Sequence, residues 1–184
     1  VTLTGTGVTI SQPVTSSTGS VTVTASTGAV SATGNISAAT SIAISPKTTY
    51  AGAGVLNAGT TLTISGGTTV DPTGNLSSVG NMTISGSQRV TLSSITAAVS
   101  GSGALSISGG TLANTNGAVE IITSNVTSTT GAITITGSAS ASWGFYIRST
   151  SKIQSTSGAI TITGNAPSNV WGGYLAAADI LSSS

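Results

Sequence analysis

The chain has 184 residues and a net charge of +1, from four Lys or Arg and three Asp or Glu. Its four cations (Lys47, Arg89, Arg148 and Lys152) are scattered, which disfavours nucleic acid binding and a polybasic membrane patch, because both need clustered basic residues. The absence of cysteine removes disulfides, thiolate metal sites and thiol redox chemistry.

What replaces charge is hydroxyl. Ser and Thr together make up 67 residues and Gly another 25, while aromatics are only 3%. A disordered linker could share that composition, but regularly placed Val, Ile and Leu supply apolar surface to bury. No apolar run approaches the roughly 18 residues that cross a bilayer, and the start lacks the basic and apolar stretches of a signal peptide.

In chain order, a strand pattern opens at Val1-Thr2-Leu3-Thr4, and a short core then recurs: an apolar residue, Thr or Ser, a second apolar residue, and a turn. It reads GVTIS from Gly7, GSVTVTAS from Gly19, SIAIS from Ser41, TTLTISGG from Thr60, NMTISG from Asn81 and GALSISGG from Gly103. GAVEIITS follows from Gly117, and GAITITG from both Gly131 and Gly158. The first apolar residues are Val8, Val21, Ile42, Leu62, Met82, Leu105, Val119, Ile133 and Ile160, so the steps are 13, 21, 20, 20, 23, 14, 14 and 27. Steps of 20 to 23 fit single coils of a β-helix, and 14 plus 14, or 27, fits a longer coil carrying two such strands. Near the end, Trp143 to Gly164 is echoed by Val170 to Ser184, with Trp143 and Trp171 separated by 28, Tyr146 and Tyr174 by 28, and Ile153 and Ile180 by 27.

Each core alternates strictly, so Ile133 and Ile135 face one way and Thr134 and Thr136 the other. β-branched residues suit a pleated surface. The prolines, Pro13, Pro46, Pro72 and Pro167, sit at strand ends or beside turn residues. A sandwich would use different strands in different places, whereas near-identical strings must see the same neighbours above and below. The expected fold is therefore all-β, a right-handed parallel β-helix with coils of about 20–28 residues. Eight or nine coils would make a rod on the order of 40 Å long. The whole of 1–184 reads as a single solenoid segment, an interior fragment of a longer repeat protein.

The GAITITG strand, together with Trp143-Gly144-Phe145-Tyr146-Ile147 and the connector Ile153-Gln154-Ser155-Thr156-Ser157-Gly158, resembles the haemagglutinin-type repeats of filamentous haemagglutinin-like large exoproteins. The likeness runs over most of the chain and is strongest from Gly117. It implies secretion to the bacterial cell surface and a shaft that presents a distal adhesive tip. Partners would then be neighbouring coils of the same or identical chains, with host or cell-surface glycans met through another part of the parent protein. A self-assembling extracellular filament is the alternative. The resemblance brings no catalytic or ligand motif.

Nor do the residues themselves suggest an enzyme. Polysaccharide cleavage needs paired carboxylates, and Asp71, Glu120 and Asp179 lie far apart in sequence, without any His. Asp71 reads as a turn residue and Glu120 as an outward strand position. No Asp follows Gly66-Gly67, Gly109-Gly110 or Gly172-Gly173 as a calcium-binding repeat would require. No catalytic, cofactor or metal residue is assigned. Four triplets starting at Asn35, Asn75, Asn81 and Asn125 match the N-glycosylation pattern, as chance allows in a chain so rich in Ser and Thr. Outward Thr22/Thr24, Thr61/Thr63, Thr134/Thr136 and Thr161/Thr163 suggest a third function, ice binding, although Ser85, Ser106 and Ser108 interrupt the pattern. Surface contacts are expected of Trp143, Tyr146, Trp171 and Tyr174, which either stack on sugar rings or a partner chain, or cover a coil corner.

Overall fold

A computed structural model describes residues 1–111, 117–167 and 170–182; the last residues of the terminal repeat copy, 183–184, fall outside them. Among the described residues the chain is all β, a β-solenoid of parallel strands stacked in about eight turns. Each turn has three faces, as in the second coil, where Val21–Ala25, Val30–Ala32 and Ile36–Ala38 follow one another. First-face strands, from Thr2–Gly5 to Ile160–Asn165, form one eight-stranded sheet. The other two faces belong to a single 14-stranded sheet. They are joined because the strand Trp143–Ser155 runs through both, pairing with Gly117–Ile122 and then with Asn125–Ser128.

Register fixes the coil length. Thr2 sits on Thr22, Thr22 on Ala43, Ala43 on Thr63 and Thr63 on Thr83, which is 20 or 21 residues per turn. Thr83 then pairs with Ser106, Ser106 with Thr134 and Thr134 with Thr161, steps of 23, 28 and 27. The solenoid therefore widens along its length, chiefly at the second face, whose strand grows from three residues in Val30–Ala32 to six in Gly117–Ile122. Two of the repeat cores belong to this second face: Val8 pairs with Val30, and Val119 with Val90 and Phe145. The first-face strand of the opening coil is instead Thr2–Gly5, with Leu3 on Val23. Asp71 is likewise a strand residue, within Thr69–Pro72, because its backbone continues the ladder below it through Ala51.

Inward positions stack like on like. Val21, Ile42, Leu62, Met82, Leu105 and Ile133 form one column of the first face, all with no exposed surface. Each burial of such a side chain contributes about 1.5–3 kcal/mol relative to exposure, and stacking makes the core continuous from coil to coil. In the wide coils the corner between the second and third faces is turned by residues in the left-handed region: Ser94 (φ 57°), Thr123 (φ 51°), the pair Ser149 and Thr150 (φ 61° and 59°) and Ala177 (φ 49°). The Ser151 hydroxyl supports that corner, within hydrogen-bonding distance of the Ile121 and Arg148 carbonyls at 3.1 and 2.6 Å. A register shift there, between Arg148 and Ser151, accounts for the change of spacing from 28 at Tyr146/Tyr174 to 27 at Ile153/Ile180.

One core side chain breaks the apolar rule. Tyr50 lies in the inward column of the second face between Val30 and Val70, wholly buried, and its hydroxyl finds no hydrogen-bond partner. Burial raises the phenol pKa well above its usual value. An unpaired buried hydroxyl costs about 1–3 kcal/mol, so Tyr50→Phe is expected to stabilise the chain by an amount in that range. Thermal unfolding checks this; a lower melting temperature would mean that the hydroxyl is satisfied.

Candidate interaction surface

The first face presents a uniform exterior. Through the register, its two outward columns are Thr2, Thr22, Ala43, Thr63, Thr83, Ser106, Thr134 and Thr161, and Thr4, Thr24, Ser45, Ser65, Ser85, Ser108, Thr136 and Thr163. All but Ala43 carry a hydroxyl, and none carries charge. Neighbouring rungs stand about 4.8 Å apart. Thr61 is not part of the array: it precedes the strand Leu62–Ser65, where its carbonyl accepts from the Ile42 N–H, and the outward pair of that coil is Thr63 and Ser65.

The second face departs from this pattern. Its outward column runs Asp71, Thr91, Glu120, Tyr146 and Tyr174: Val70 pairs with Val90, Thr91 with Glu120, Glu120 with Tyr146, and Tyr146 with Tyr174. Arg89 sits on Thr69 beside this column, and Arg148 pairs with Ile122 on the other side. Four of the protein's seven charged residues thus gather on adjacent coils, and Glu120 feels Arg89, Arg148 and Asp71 electrostatically. Carboxylates far apart in sequence are brought onto one face, Asp71 and Glu120 two strands apart, while Asp179 lies on the third face opposite Lys152.

Beside the charges stand three rings. Trp143 and Tyr146 stack at 4.9 Å between centroids with planes 2° apart, and Tyr174 lies 5.2 and 5.0 Å from them at 25° and 24°. The Arg148 guanidinium lies 5.3 Å from the centre of the Tyr146 ring, a cation–π geometry. All three rings are half-buried. Trp171, by contrast, is outside the stack and 75% exposed, and Phe145 turns inward against the core. Of the four aromatics expected at the surface, three therefore come together and one does not.

Glu120 has an outward register yet is only 6% exposed. Desolvation raises its pKa above the ordinary carboxylate range, against the opposing pull of Arg89, the Gly117 backbone and Arg148. Desolvation also raises Asp71, opposed by Arg89. The folded state then holds protons on both groups more tightly than the unfolded chain does. Stability is accordingly greatest below the ordinary carboxylate pKa and falls as pH rises through the raised values. Melting temperature is expected to be higher at pH 4 than at pH 7. The variant Glu120→Gln should flatten that difference, and a rise in melting temperature between pH 4 and 7 would reverse the assignment.

Three of the four Asn residues in glycosylation-like triplets have a structural task. Asn35, Asn75 and Asn81 accept, through Oδ1, the backbone N–H of Val55, Thr96 and Ala104 in the next coil, at 2.9, 2.8 and 2.9 Å. Each side chain thus ties one turn to its neighbour just before a strand begins. Among the described residues, no group of three or more His, Cys, Asp or Glu comes together in a way that could hold a metal ion. No protein-family model, curated protein or solved structure matches the chain.

Proposed function

We propose that this solenoid is a structural shaft, a stalk segment of a large secreted bacterial surface adhesin of the filamentous haemagglutinin-like kind. It would have no enzymatic activity and would hold a distal binding tip away from the cell. The observation that carries this reading is the continuous first-face ladder of like residues over about eight coils: each coil packs chiefly on its neighbours, as in a stiff column. Deleting two whole coils, residues 42–81, from the parent protein tests it. A shaft predicts surface display and adhesion retained, with the tip about 10 Å nearer the cell. Loss of adhesion from a folded, displayed protein would show that the segment does more than space.

Ice binding has one observation in its favour, the in-register hydroxyl columns of the first face. Thermal hysteresis in dilute solution decides it: a freezing gap lost on Thr83→Lys supports an ice-binding face, and no gap leaves the face merely polar.

A further inference from the structure

We propose that Asn125 is a modification site, the one asparagine in a glycosylation-like triplet whose side chain the fold leaves free to take a hexose on Nδ2. The shaft reading asks for no modification, so the two stand or fall separately. Asn35, Asn75 and Asn125 each stand directly before the first inward residue of a third-face strand, Ile36, Leu76 and Val126. They occupy equivalent places in their coils, and in the first two the amide oxygen holds an N–H of the next coil.

Asn125 does not follow them. The equivalent N–H belongs to Lys152, opposite Asn125 in the next coil, and it donates instead to the Ser124 carbonyl at 2.9 Å. The wide corner accounts for the exchange, because the left-handed residue Thr123 turns the chain directly before Ser124. One coil earlier the left-handed Ser94 precedes Ile95 in the same way, and the Ile95 carbonyl takes the Asn125 N–H. Asn125 is exposed and, among the described residues, its amide makes no hydrogen bond. The strand's period of two presents the rest of the triplet: Val126 is buried, while Asn125 and Thr127 share the outer surface. A transferase can thus read the amide and the hydroxyl without opening the coil. In the reaction Nδ2 bonds to the anomeric carbon of a nucleotide-activated hexose, the bond from that carbon to the diphosphate breaks, and the amide gives up one proton.

The test combines the folded chain, UDP-glucose and an N-glycosyltransferase that accepts this triplet, and locates the product by peptide mass mapping. Tryptic peptides of the same chain serve as parallel acceptors: cleavage after Lys47, Arg89, Arg148 and Lys152 leaves every triplet intact and free of its hydrogen bonds. Hexose is expected on all four asparagines in the peptides, and on Asn125 alone in the folded chain. Asn125→Gln should lose the addition. Asn35→Gln should keep it and lower the melting temperature, because the Val55 N–H loses its acceptor. A folded chain left unmodified while peptide 90–148 is modified overturns the proposal, as does hexose on Asn35, Asn75 or Asn81 of the folded chain at the rate seen for Asn125.

Discussion

Ile133→Asp should unfold the wide coils while leaving the narrow ones folded. Ile133 has no exposed surface, with Leu105 beneath it and Ile160 above it in the same inward column. An aspartate there removes the apolar contacts and leaves a carboxyl group in a column without polar partners. Such a group binds a proton rather than stay charged, and still costs several kcal/mol. We expect a loss of about 4 kcal/mol or more, at the upper end of single-residue effects. Because each coil contacts chiefly its neighbours, the damage should be local. Hydrogen exchange is the measurement: amides of coils flanking Ile133 should lose protection, while those around Ile42 and Leu62 keep theirs. The conservative Ile133→Val should cost only about 0.5–1.5 kcal/mol. Unchanged protection near Ile133 in the Asp variant would place that side chain outside the core.

Much of this architecture is legible in the sequence, since a β-solenoid repeats its physical environment. Alternation identifies Ile133 and Ile135 as inward and Thr134 and Thr136 as outward, and the pairing of Ile133 with Ile160 follows from the spacing of 27. The spacings around Tyr146 and Ile153 even carry the mark of the bulge between Arg148 and Ser151. The charged and aromatic face was harder to read. Val8 and Val119 look like members of the first-face series, and placing them there hides the second-face series of Val70, Val90, Val119 and Phe145. Each of those four inward residues is followed directly by an outward one, Asp71, Thr91, Glu120 or Tyr146. Sorting the apolar residues into two columns would thus have brought the carboxylates together. Burial of Glu120 could not have been read this way, because it depends on neighbouring side chains folding over an outward position.

The same reasoning separates two kinds of glycine, and Gly137→Ala should cost the chain where Gly19→Ala does not. Gly137 lies where a first-face strand ends, on the column Gly86, Gly109, Gly137 and Gly164. A Cβ added there would fall on the carbonyl of Gly144, where the chain returns along the second face. Backbone cannot step aside as a flexible side chain can, so the corner must open, and the coils stacked on either side repeat the same close approach. Overpacking of this kind costs about 1–3 kcal/mol. At Gly19 an added Cβ would meet only the Ser16 hydroxyl, 3.6 Å away. There the lower entropy of an alanine-containing unfolded chain should prevail, giving a neutral effect or a gain of about 0.4–1 kcal/mol. The two variants differ by one methyl group each, and melting the pair under one condition gives opposite signs if the corner is as tight as its carbonyls require. A common sign would mean that the wide coils adjust their corners freely, and that their column of glycines reflects composition rather than geometry.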